Sequence, residues 1–130
     1  MTDFVVYHKP EVMGYDAINV DNLAIYTNKS STSAVGGRVW LLTGEGSPRI
    51  YRLRSTFLVS EIVPSDKAGF KTKIIGKDGR LLDPMPALNS EPWFKEFVQK
   101  QGNFAFGFQP INDTAAQAGL RAVLRAASRI

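Results

Sequence analysis

"RVWLLTGEGSPRIYRLRSTFLVSEIV", residues 38–63, decides the fold. "RVWLLT" (38–43) and "RIYRLRSTFLVSEIV" (49–63) read as the two strongest strands, joined by the loop "GEGSP". Across 49–59 the odd positions Tyr51, Leu53, Phe57 and Val59 are apolar, whereas the even ones include Arg52, Arg54 and Thr56. A period of two predicts a half-buried strand. The second segment is long for one strand, which predicts a bend or bulge near Ser55, as barrels use to turn corners.

Working outward, "DFVVYH" (3–8) predicts a first strand ended by Lys9-Pro10, because proline lacks an amide donor and constrains its predecessor. "EVMGYDAINVDN" (11–22) mixes turn formers with scattered apolar residues and predicts a short helix or irregular excursion. "LAIYT" (23–27) is a second strand, and "NKSSTSAVGG" (28–37) a polar loop. "FKTKII" (70–75) alternates again, and Asp78-Gly79 in "GKDGRLL" (76–82) predicts a two-residue hairpin turn. A helix is expected over 91–101, with Ser90 as N-cap, Pro92 in its first turn and Gly102 as its stop. "NFAFGFQPI" (103–111) reads as a late strand with Phe104, Phe106 and Phe108 on one face. The terminal helix 113–128 is capped by Asp113; Ala116, Leu120, Val123, Leu124 and Ala127 form its apolar stripe, and Arg121, Arg125 and Arg129 lie on another face.

The predicted order is strand, excursion, five or six strands, helix, strand, helix. Strands in a run with helices collected late predict an α+β domain spanning residues 1–130, built as a small, partly closed β-barrel with packed helices.

Composition narrows the chemistry. Cysteine is absent and His8 is the single histidine, so thiolate chemistry, a disulfide framework and a zinc site are not expected. His8 has no acid or nucleophile beside it in sequence and reads as a packed or surface residue. The loop "GEGSPR" lacks the third glycine and following helix of a phosphate-binding loop. The expectation is therefore a binding protein rather than an enzyme, without metal or cofactor. The acidic opening "MTDFVVYHKP" and the lack of any apolar run near ~20 residues predict a cytoplasmic protein with no membrane span.

The formal net charge is +4. Residues 1–65 carry six basic and six acidic side chains, and residues 66–130 carry ten and six. Such a balance permits a polyanionic partner without requiring one. Arg52 and Arg54, two residues apart in a strand, suit successive phosphates, and they equally suit the charged outer face of an ordinary strand. Asn28, Lys29, Ser30 and Ser31 supply amide, ammonium and hydroxyl groups to a loop near aromatic strands.

The opening strand, the excursion with Gly14 and Tyr15, and the tryptophan-bearing strand leading through a glycine-rich loop into a long strand resemble the PUA-like superfamily of EVE, ASCH and SRA-type domains. The resemblance runs over roughly residues 3–110 in element order and length. It implies DNA or RNA as partner, with a modified base held in an aromatic-lined pocket. On that basis Tyr15, Asn28, Trp40 and Trp93 are candidate pocket residues, and Lys29, Arg52 and Arg54 candidate backbone contacts. The alternative from another class is a protein-interaction or assembly module, a homodimer included, using an apolar patch around Phe104–Phe108.

Overall fold

The computed structural model describes residues 2–29, 32–104 and 108–127. Six strands form one mixed sheet: β1 (Asp3–His8), β2 (Ala24–Thr27), β3 (Arg38–Glu45), β4 (Ile50–Pro64), β5 (Thr72–Leu81) and β6 (Gln109–Ile111). Their order is β2-β5-β4-β3-β1-β6. β1 and β3 are parallel, and every other pair is antiparallel. Three α-helices accompany them, α1 (Pro10–Met13), α2 (Phe94–Lys100) and α3 (Thr114–Ala127). The class is α+β as expected. The order has two ends, β2 and β6, so the described sheet does not close into the expected barrel.

Continuous apolar runs in β1 and β3 mark strands covered on both faces. On one face Val5, Trp40, Leu42 and Leu53 pack against Phe94 and Phe97 of α2 and Ala116 and Leu120 of α3. On the other, Phe4, Val6, Val39, Leu41, Phe57, Val59 and Ile74 pack with Val20 and Phe108. Burying each such side chain contributes ~1.5–3 kcal/mol, so two full layers suit a chain of this size.

The anticipated bulge lies at Arg54. Leu41 pairs with Ser55 and Leu42 with Leu53, which leaves Arg54 as the extra residue. A one-residue shift exchanges the faces of everything beyond it. Leu53 therefore joins the helix-covered layer while Phe57 and Val59 join the opposite one. The single apolar face read from alternation across 51–59 is corrected accordingly.

Asp78-Gly79 does not turn a hairpin. Both residues lie inside β5, between the pairs Leu58–Lys77 and Thr56–Arg80, so two residues oppose the single Phe57. Asp78 has φ +51°, and a Cβ on Gly79 would meet the Thr56 carbonyl oxygen. Turns and bulges make the same demand for positive φ, so the dipeptide alone does not separate them. One strand here and one continuous β4 reduce the expected run of five or six strands to four.

The stretch after β5 covers the first part of β4. The Leu53 amide donates to the Pro86 carbonyl at 3.0 Å and the Leu88 amide to the Tyr51 carbonyl at 2.8 Å. Turns continue to Trp93, the N-cap of α2, so Ser90 does not cap the helix. Of the expected strand over 103–111, Gln109–Ile111 form β6, Gly102–Phe104 form a 3-10 turn instead, and residues 105–107 lie outside the described residues. Phe104 belongs to the helix-covered layer, whereas Phe108 stacks on Phe4 in the other, 4.6 Å between ring centroids. Phe104 and Phe108 therefore do not share a face, and Phe106 lies outside the described residues.

Asp113 caps α3 as expected, accepting from the Ala115 and Ala116 amides at 2.9 and 3.3 Å. Arg121 does not merely face solvent. It pairs with the buried Asp3 at 2.8 Å and lies 5.8 Å from the Trp40 ring, tying α3 to β1. Arg125 is exposed, and Arg129 lies outside the described residues.

Candidate functional site

Among the described residues, β6 pairs with Asp3–Val5 of β1, Val6–His8 have a ladder on the β3 side alone, and β2 is laddered on the β5 side alone. A cavity of about 720 Å³ lies along both of these edges, lined by Val6, Tyr7 and His8 from β1 and by all four residues of β2. Successive residues of a strand point to opposite faces, so lining by consecutive residues means that the strand edge itself borders the space.

The excursion supplies one wall. Pro10 begins α1, where its missing amide costs nothing, and Gly14 ends it in the left-handed region at φ +88°. That reversal brings Tyr15 back over the end of β1. Its ring lies 5.3 Å from that of His8, and its carbonyl oxygen is 2.8 Å from His8 Nε2. Arg54 holds the next turn, Ala17–Asn19, against the sheet. Its guanidinium donates to the carbonyls of Val20 (2.6 Å), Leu82 (2.8 Å) and Ile18 (3.1 Å).

Ser65–Lys71, between β4 and β5, supplies the opposite wall. The Tyr26 hydroxyl donates to Asp66 Oδ1 at 2.9 Å, Asn28 Nδ2 donates to the Gly69 carbonyl at 3.0 Å, and the Lys71 amide donates to Asn28 Oδ1 at 2.8 Å. These bonds extend the β2–β5 ladder by one side chain and set Phe70 against the cavity, 6.0 Å from the Tyr26 ring. Lys67 Nζ lies 5.3 Å from the centre of the Tyr15 ring, so the two walls meet there. Lys73 Nζ sits 5.6 Å from the Tyr26 ring and 3.9 Å from Asp66.

The charges follow from this geometry. Burial pushes the Tyr26 phenol above its ordinary value, reinforced by its hydrogen bond to Asp66. That same bond holds the Asp66 carboxyl below the usual carboxylate value, with the nearby Lys73 acting in the same direction. Exposed Lys9 and Lys29 line the cavity opposite one lining carboxylate, Asp21.

Tyr15, Asn28 and Lys29 therefore come together at one cavity, although the Asn28 amide is engaged at both ends. The other four candidates lie elsewhere. Trp40 is 0 % exposed in the helix-covered layer, with Nε1 donating to Asp3 at 3.1 Å, so no ligand ring reaches it. Trp93 packs across Gly119 of α3. Arg54 is 5 % exposed and engaged with three carbonyls, which removes it from phosphate contact. Half-buried Arg52 donates to the Met85 carbonyl at 3.1 Å. Ser30 and Ser31 lie outside the described residues.

Sequence reasoning missed His8, Tyr26 and Phe70. For His8 the usable signal was its place at a strand end, where Lys9-Pro10 takes the chain out of the sheet. Tyr26 and Phe70 carried no comparable signal, because their pairing depends on contacts some 40 residues apart. Among the described residues, no helix is long and apolar enough to cross a membrane. No family model, no curated protein and no solved structure matches this chain.

Proposed function

We propose that this chain is a nucleic-acid-binding domain that receives a base in the cavity between β1 and β2. One observation carries the reading: a cavity of about 720 Å³ whose walls bring Tyr15, His8, Tyr26 and Phe70 together, with Lys9 and Lys29 at its lining. That volume falls within the ~300–1,000 Å³ of small-molecule sites. Rings and aliphatic side chains suit a flat heterocycle, and the lysines suit the phosphates on either side of it. In this reading the sheet is a PUA-like barrel whose seam, between β1 and β2, is the binding site. The base leaves its stack to enter, at a cost of a few kcal/mol for a paired base and less for a damaged or single-stranded one. Stacking on an aromatic wall returns ~1–3 kcal/mol, and charge neutralisation supplies the salt-dependent remainder.

The test is fluorescence anisotropy of labelled single- and double-stranded DNA and RNA, with and without modified bases, at two salt concentrations. A label on the nucleic acid is preferable to intrinsic fluorescence because neither tryptophan lines the cavity. Binding that weakens with salt, and that falls in both Tyr15→Ala and Lys29→Ala, supports the reading. Binding unchanged by both substitutions would move the contact surface elsewhere, and no binding at low salt would discard the reading.

A further inference from the structure

We infer that His8 selects the ring in this cavity by offering its Nδ1 as an acceptor to an N–H of the base; the inference rests on the reading above. His8 is 5 % exposed and lines the cavity. Its Nε2 is 2.8 Å from the Tyr15 carbonyl oxygen, and a carbonyl only accepts, so in the neutral ring Nε2 carries the hydrogen. A neutral imidazole has one donor and one acceptor, which leaves the lone pair on Nδ1.

Tyr15 sets the ring's position twice, through its carbonyl at Nε2 and through its own ring, 5.3 Å from the imidazole; the Thr43 hydroxyl, donating to the His8 backbone carbonyl at 3.1 Å, fixes the strand end that carries it. Among the described residues no donor bonds Nδ1. Two neighbouring polar side chains at the cavity are already engaged, whereas Asn19, Asp21 and Asn22 at its lining are exposed. The Asn28 amide bonds Gly69 and Lys71, and Thr27 Oγ1 accepts from the Lys29 amide at 3.0 Å. A ring with an amino or imide hydrogen satisfies Nδ1. A ring without one strands an acceptor inside an enclosed site, a loss of roughly 10- to 100-fold in affinity.

The experiment compares matched single-stranded oligonucleotides carrying one central test base. Adenine is set against N6,N6-dimethyladenine, cytosine against N4,N4-dimethylcytosine, and thymine against N3-methylthymine. Wild-type protein is expected to bind at least one parent roughly 10- to 100-fold more tightly than its blocked partner. In His8→Phe the two should bind within about twofold of each other, while His8→Gln, which keeps one donor and one acceptor, should retain part of the preference. Equal wild-type binding of parent and blocked bases, with Tyr15→Ala still weakening both, overturns the role of His8 and leaves the cavity reading standing. A preference that persists in His8→Phe is steric and also overturns it. Failure of every oligonucleotide to bind removes both. Should His8→Phe not fold, the wild-type series and His8→Gln decide the question.

Discussion

Replacing Arg54 with methionine tests how the cavity wall is held. The guanidinium reaches three carbonyls, and its bonds to Val20 and Leu82 are fully buried while that to Ile18 is partly so. Methionine keeps the aliphatic stem and removes every donor. Two buried carbonyls then lose their partners at ~1–3 kcal/mol each. Against this, the variant no longer buries a cation whose Nε has no partner and near which, among the described residues, no carboxylate forms an ion pair. That relief recovers part of the loss. The net expectation is a destabilisation of ~2–4 kcal/mol, read as a lower urea midpoint and a melting temperature lower by roughly 10 °C. Amide exchange should localise the effect, with residues 17–20 and 82 losing protection ahead of the central strands. Arg54→Lys should fall between, because one ammonium does not span carbonyls from two segments. A midpoint within ~0.5 kcal/mol of wild type, a change typical of unremarkable surface positions, would refute the clamp.

Three further outcomes are expected. Arg121→Ala leaves the buried Asp3 carboxyl with the Trp40 indole as its one side-chain donor among the described residues, and should lower stability by ~1–3 kcal/mol in denaturant titration, with Asp3→Asn/Arg121→Ala showing non-additivity. Gly119→Ala is favoured by helix propensity by ~1 kcal/mol, yet its methyl would enter the Trp93 ring, so a net loss of ~1–2 kcal/mol and an altered Trp93 emission are expected. Burial raises the Tyr7 phenol above its ordinary value of 10.0, with the nearby Arg49 opposing. The neutral form is therefore the one that the fold prefers, so this contribution is complete below about pH 10 and is lost as pH rises through the higher folded value. Stability measured from pH 8 to pH 11.5 should fall less steeply in Tyr7→Phe.

Local signals carried much of the architecture. Pro10 after β1, the strand-forming runs at 38–43 and 49–63, the capping Asp113 and the stripe of α3 each act over a few residues and need no distant partner. The same signals fail where two local structures make one demand. Asp78-Gly79 supplies positive φ to a bulge as readily as to a hairpin. A bulge at Arg54 was legible from strand length, but its consequence, exchanging the faces of Leu53 and Phe57, required the register against β3.

For the site, sequence alone determined that ring-bearing and cationic residues were present and that thiolate chemistry was not. Tertiary structure decided which of them meet. Tyr15, Lys29 and His8 converge because, among the described residues, β1 is paired on one side over Val6–His8 and β2 ends the strand order, a property of topology. Trp40 and Arg54 look available in sequence and are enclosed in space, since a charged or aromatic side chain carries no mark of what packs over it. Asp3 answers Arg121 across 118 positions, and the Ile18 and Val20 carbonyls answer Arg54 across more than 30. Chain order holds no record of those distances; they follow from how the sheet and its excursion close on each other.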